Sequence, residues 1–180
     1  MNPFAGTFFE MGFDIVPDLH AGDANADLTG DWINLENYDR AYLALLKPAG
    51  TAGDDLSIHL QQATAEAGTG AKDLTFSKLW YKKAVTNAFT AVGQWTAVEL
   101  TTATADLDLA SVNSTDLGLD DQGAYVLVEV PAASLDVGNG FKFVNNIIEG
   151  DDIANALLVY SFWLLQGCHY PSALPASALA

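Results

Sequence analysis

Short runs in which apolar and polar residues alternate dominate the chain after its first 30 residues. Residues 56–60 place Leu, Ile and Leu between Ser and His, which is the period of a half-buried strand. Residues 125–130 are strongly β-prone, and Pro131 stops that run. Clusters of Gly, Pro and Asp separate the runs, and no long stretch keeps a helical period with caps. The pattern predicts an all-β fold, an antiparallel β-sandwich that is jelly-roll-like, with about eight strands.

The same pattern predicts which side chains form the core. The last long element, within residues 154–165, is short enough for a helix, but Val159, Tyr160, Phe162 and Trp163 favour a strand. Residues on alternating or buried runs are expected inside the sandwich. The predicted core comprises Leu43, Leu45, Ile58, Leu60, Phe76, Val126, Val128, Phe143, Val159 and Trp163.

Two irregular arms are predicted to flank one domain. Residues 1–28 form an N-terminal arm, residues 29–166 the β-sandwich domain, and residues 167–180 a C-terminal tail. The first arm crowds large apolar residues among Gly and Pro without a period of 2 or 3.6; these are Phe4, Phe8, Phe9, Met11 and Phe13. Because exposed aromatics at this density are a liability in a lone monomer, the segment either packs on its own domain or docks on another subunit.

Composition narrows the possible partners. The chain has 180 residues, 23 acidic and 7 basic, for a formal net charge of −16. Such a charge disfavours binding to nucleic acid or to anionic lipid, since both are held by Lys and Arg. The most apolar stretch, residues 153–165, is shorter than the roughly 20 residues that span a bilayer, and the N-terminus does not resemble a secretory signal. We therefore expect no nucleic-acid partner and no membrane partner.

Several residue groups have some features of metal sites, but each fits such a site poorly. Residues 23–27 resemble the start of a calcium loop, but Leu28 replaces the required Gly and Asn34 the required Glu. His20, His59 and His169 lack a short metal-ligand spacing. Asp pairs at 54–55, 120–121 and 151–152 are typical of turns. No bound metal or cofactor is expected.

Catalytic patterns are equally weak. The single cysteine, Cys168, excludes an internal disulfide, and its neighbour His169 points to the opposite face of a strand. There is no Gly-x-Ser-x-Gly elbow, and residues 68–72 lack the spacing of a phosphate loop. We expect no catalytic, cofactor-binding or metal residues, and hence no enzyme.

Four segments in order resemble a family of small virion structural proteins of tailed bacteriophages. The resemblance extends over residues 29–180, most of the chain, and its motifs are turns and strand edges. The segments are residues 29–40, residues 50–64 with residues 68–72 behind them, residues 133–141 and residues 170–178. Relatives in that family carry an Asp-Pro-Arg-Tyr-like piece after the last strand, where this chain has Gly167-Cys168-His169-Tyr170.

The resemblance implies a non-enzymatic capsid decoration or cement protein on the exterior of the virion head. Its implied partners are the major capsid protein and further copies of itself, with a trimer favoured. The alternative is a carbohydrate- or receptor-binding β-module of a head fibre or tail. Trp32, Trp80, Trp95 and Trp163 would stack on sugars if exposed, although aromatics in strands are more often part of the core.

Overall fold

The structure is a computed structural model that describes residues 12–19, 22–51, 54–84, 94–112, 115–116, 119, 122–151, 153 and 156–168. Within these ranges the regular elements are strands and two short 3₁₀ helices. The strands are β1 (Phe13–Pro17), β2 (Gly22–Asp23), β3 (Leu28–Thr29), β4 (Ile33–Asn34), β5 (Arg40–Lys47), β6 (Asp55–Ala63), β7 (Lys72–Asp73), β8 (Phe76–Ala84), β9 (Thr96–Thr104), β10 (Asp106–Asp108), β11 (Ser111–Val112), β12 (Thr115–Asp116), β13 (Gly123–Pro131), β14 (Phe143–Asp151) and β15 (Leu158–Gln166). The 3₁₀ helices are η1 (Ala132–Ser134) and η2 (Val137–Asn139).

Two antiparallel sheets pack against each other. The large sheet has the order β1-β15-β5-β13-β8-β9, with β2 also paired to β15. The small sheet has the order β10-β6-β14-β3, with β4 and β7 at its margins. The chain crosses to the small sheet twice among its long strands, at β6 and at β14, while β5, β8, β9, β13 and β15 belong to the large sheet. The predicted all-β sandwich is confirmed.

The core lies between the two sheets and contains nine of the ten predicted core residues, with Trp163 among the largest fully buried side chains. The tenth, Phe143, is also buried, but it lies on the outer face of the small sheet, because its neighbour Val144 on β14 faces the core. The strand assignment of the last element is also confirmed, because β15 alternates between exposed and buried residues along its length. The single cysteine, Cys168, packs half-buried against the core, as expected of a small apolar side chain.

The boundary of the N-terminal arm needs a correction. The arm was predicted over residues 1–28, but β1 pairs with β15 from Phe13↔Gln166 to Pro17↔Phe162, and Val16 is part of the core. The hydroxyl of Tyr38 also donates to Asp14 Oδ2 at 3.2 Å, which ties β1 to the loop before β5. A β-strand can form on an irregular sequence when a neighbouring strand supplies its hydrogen bonds and one side chain reaches the core. Residues 1–11 and 169–180 lie outside the described residues.

Lys47 is an unexpected member of the interior. It ends β5 on the core side of the sheet and is fully buried. Its ammonium donates to the carbonyl oxygens of Gln122 at 3.0 Å and Pro48 at 3.3 Å. These backbone acceptors compensate part of the cost of removing a charge from water.

In the described ranges we find no helix that is long and apolar enough to span a bilayer.

Candidate functional site

The outer face of the large sheet, which points away from the small sheet, is apolar. Its side chains alternate along each strand with those that enter the core. We call this surface the apolar face, and it comprises Ile15, Pro17, Tyr42, Ala44, Leu46, Trp80, Tyr125, Leu127, Leu158, Tyr160, Phe162 and Leu164. Ile15 is 48% exposed, Leu158 45% and Phe162 37%, which is high for large apolar side chains on one contiguous surface.

Strand register arranges the apolar face in rows that run across the sheet. One row places Pro17, Phe162, Ala44, Leu127 and Trp80 side by side on five neighbouring strands. The next row places Tyr160 beside Leu46 and Tyr125, and a third places Ile15 beside Leu164 and Tyr42. Side chains opposite each other on neighbouring strands lie about 4.5–5.5 Å apart at Cβ, so these rows form a continuous surface.

Most charged groups of this face lie toward one margin and are arranged in pairs. Arg40 Nη1 contacts Glu129 Oε1 at 2.7 Å, and Lys78 Nζ lies 3.7 Å from Glu99 Oε1. Lys82 lies over the ring of Trp95 at 5.1 Å from its centroid. On the described strands of the large sheet, three acidic residues point outward: Glu129, Glu99 and Asp23, which lies opposite Leu158. Three basic residues, Arg40, Lys78 and Lys82, balance them, although the chain as a whole has a formal net charge of −16.

The four tryptophans occupy different environments. Trp163 is fully buried, Trp32 and Trp80 are half-buried, and Trp95 is 45% exposed. Trp80 belongs to the apolar face, where its ring lies 6.3 Å from the ring of Tyr42 in a tilted arrangement. Two of the four side chains, Trp80 and Trp95, are thus placed where an external ligand would meet them.

The outer face of the small sheet is polar. His59, on β6, lies between Asp73 and Glu149, with Nε2 at 3.1 Å from Asp73 Oδ1 and Nδ1 at 3.5 Å from Glu149 Oε1. The expectation that His59 lies on the polar side of its strand is confirmed. The two outer faces of the sandwich therefore differ, since one is apolar and the other is polar.

A buried polar cluster joins the two sheets near the start of β15. Ser161 Oγ donates to Asp18 Oδ2 at 2.5 Å, and the backbone N–H of Asp31 donates to Asp18 Oδ1 at 2.9 Å. Burial raises the pKa of Asp18 above its ordinary value, although these hydrogen bonds oppose the rise. Asn146 is fully buried beside them, and its side chain also opposes the rise in the pKa of Asp18.

The segment that resembles a calcium loop has a structural role. Asp23 Oδ1 accepts the backbone N–H of Asn25 at 3.2 Å and that of Leu157 at 3.1 Å, so its carboxylate fixes a turn and the start of β15. Asp54 likewise accepts the N–H of Thr51 at 2.6 Å within a turn. Across the described ranges, no three His, Cys, Asp or Glu side chains are grouped closely enough to hold a metal ion. His20, His169, Asp120, Asp121 and Asp152 lie outside these ranges.

The residues that resemble a phosphate loop form a turn between β6 and β7. Gly68 and Gly70 both adopt positive φ, and no helix follows them. Without a helix N-terminus, the turn lacks the row of backbone donors that a phosphate loop offers.

The apolar face was not predicted from the sequence, although the residues of β15 indicate it. Leu158, Tyr160, Phe162 and Leu164 occupy one phase of the strand, and Val159, Trp163 and Leu165 occupy the other. A strand that is apolar on both phases is typical of one covered on both faces. Among the residues that the structure describes, only the core face of β15 is covered by another sheet.

Compared with known proteins, the sequence matches no family model and no curated protein.

Proposed function

We propose that this protein is a non-enzymatic structural protein of a tailed-phage virion, a decoration or cement protein on the exterior of the capsid. The observation that supports assembly is the apolar face on an otherwise acidic sandwich. The proposed partners are the major capsid protein and other copies of the chain. The resemblance to virion proteins supports a location on the phage capsid, and the apolar face is the reason to expect stable contacts there.

Adhesion through an apolar face has a physical basis. Burying one large apolar side chain contributes about 1.5–3 kcal/mol relative to leaving it in water. Ile15, Leu158 and Phe162 all retain exposed area, so a neighbouring surface gains stability by covering them. The charge of −16 suits an exterior surface, because proteins that contact packaged DNA need Lys and Arg.

The test of this function is binding to capsids that lack the protein. We expect hundreds of copies per particle and a higher melting temperature of the decorated shell. Because the contacts are mainly apolar, occupancy should change little between 0.05 and 0.5 M NaCl, at roughly Debye lengths of 14 and 4 Å. Binding of a few copies at a single vertex, or none, would contradict decoration.

The N-terminal segment is a second element proposed to contact the capsid or another subunit. It is tested by deleting residues 1–11, which leaves β1 intact. We expect lower occupancy on capsids and an unchanged far-UV CD spectrum. Full occupancy of the truncated protein would show that residues 1–11 are not an attachment element.

A carbohydrate- or receptor-binding module is the second candidate, and the position of Trp95 favours it. Trp95 is 45% exposed and lies beside Lys82, on the same side of the sheet as Trp80. Exposed aromatic rings are suitable platforms for sugar stacking. A glycan array compares the wild type with Trp95→Ala. Binding that is lost in the variant supports this candidate, whereas no bound glycan together with high capsid occupancy supports decoration.

A further inference from the structure

The apolar face has the size of a specific interface between two proteins. It crosses five neighbouring strands, β1, β15, β5, β13 and β8, and extends along β15 from Leu158 to Leu164. With strands about 4.8 Å apart and a rise of about 3.3 Å per residue, the patch measures about 24 by 23 Å, or about 550 Å², including the charged positions Lys78, Lys82 and Glu129 at its border. Two such patches in contact bury about 1,100 Å², which exceeds the roughly 1,000 Å² expected of a biological interface.

Charge explains why an acidic protein would associate through this surface. Two copies with a net charge of −16 repel each other wherever their acidic surfaces meet. On the apolar face, Glu129 is paired with Arg40 and Glu99 with Lys78. Asp23, opposite Leu158, adds a negative charge and Lys82 a positive one, so the charges on this side of the large sheet balance. This side of the sandwich is therefore suited to the approach of a second acidic chain.

The distribution of exposed apolar residues indicates the symmetry of the contact. In the described part of the chain, the large exposed apolar side chains belong to the apolar face or to Trp95 beside it, except for Val137. A ring of three subunits needs two different complementary patches, whereas a two-fold contact uses the same patch twice. Flat sheets with apolar side chains also pack face to face at about 10 Å, as the two sheets of a sandwich do.

We propose that two copies of this chain pack face to face through the apolar face, around a two-fold axis. This inference rests on the proposed use of the apolar face in assembly, and it names a second copy as the partner. Phe162 lies in the middle row, between Pro17 and Ala44, and is central to the contact. The resulting dimer has β6 and β14 of both copies on the outside, which places the polar faces in solvent.

The test compares Phe162→Glu with the control Val137→Glu by light scattering and sedimentation velocity at about 1–100 µM. Phe162 is 37% exposed within the face, and Val137 is 64% exposed outside it. We expect twice the chain mass of 19.1 kDa for the wild type and for Val137→Glu, and 19.1 kDa for Phe162→Glu. Leu158→Glu is a second variant of the face, in case Phe162→Glu does not fold by CD. A monomeric wild type, a trimer, or a dimer that both variants of the face preserve would overturn the proposal.

Capsid binding separates this proposal from the proposed function. A monomeric wild type that occupies capsids through the apolar face, with occupancy lost in Phe162→Glu, refutes the dimer but leaves decoration standing. The capsid shell is then the partner of the face. A dimer that does not bind capsids supports the face-to-face contact and refutes decoration. If the full chain is a monomer and the chain without residues 1–11 is a dimer, the chain's own N-terminal segment covers the face, and the proposal is wrong.

Discussion

Gly150 lies in β14 where no larger residue fits, and Gly150→Ala should destabilise the protein strongly. A methyl group there would stand 2.9 Å from the carbonyl carbon of Ala24, closer still to its oxygen, and 2.5 Å from Ile153 Cδ1. The obstacle is mainly backbone, since Ala24 is fully buried and its N–H donates to Leu157 at 2.9 Å. Overpacking typically costs about 1–3 kcal/mol, and a weakened hydrogen bond adds about 1 kcal/mol. We expect a loss of about 2–4 kcal/mol in the free energy of unfolding.

Urea unfolding followed by tryptophan fluorescence measures that loss, with Gly138→Ala as the control. Gly138 has no atom within 4 Å of the position of an added methyl group, and its φ is not positive. At this chain length, about 2–4 kcal/mol corresponds to a fall of roughly 4–16 °C in melting temperature. The control should change the free energy by less than about 0.5 kcal/mol. If Gly150→Ala matches the control, the packing of Ala24 against β14 is not as described, and the reasoning fails.

Three further outcomes are expected. Because burial raises the pKa of Asp18, the folded state holds a proton to a higher pH than the unfolded chain does. The stabilising contribution of Asp18 is present below the ordinary pKa of 3.8 and is lost as the pH rises through the raised pKa. As the pH falls from 7 to about 4, the urea midpoint of the wild type should therefore rise relative to that of Asp18→Asn. A difference between the two midpoints that does not change with pH would refute this. Trp163→Ala should lower the free energy of unfolding by about 3–5 kcal/mol, because it empties a fully buried site. Trp163→Phe should lower it much less, because the indole N–H has no hydrogen-bond partner in the described part of the chain. Equal losses in the two variants would contradict that reasoning. EDTA should leave the melting temperature unchanged, and a large fall would reveal a structural metal ion.

The parts of the fold that could be predicted are those in which neighbouring residues carry the signal. In β6, Leu56, Ile58 and Leu60 alternate with polar residues, and all three are buried as that period requires. The end of β13 at Pro131 follows from the missing N–H of proline. Such features depend on a few consecutive residues, so the sequence reveals them without knowledge of the partner strands.

Other parts depend on contacts between distant residues. The five residues of β1 show no alternation, and they form a strand because β15 lies beside them. The apolar face depends on the register of five strands, and no single strand shows that Ile15, Phe162 and Trp80 share a surface. The polar cluster was missed for the same reason, since Asp18 and Ser161 are separated by 143 positions.

The pairing of β1 with β15 has a consequence for synthesis of the protein on the ribosome. β1 begins at Phe13 and its partner ends at Gln166, so the first long strand to be made must wait for the last. At about 5–20 residues per second, that delay is roughly 8–30 s. During it, the apolar N-terminal region of the nascent chain has no sheet to join. The large sheet therefore closes only after β15 has been made, and we expect chaperones to bind the nascent N-terminal region during that delay.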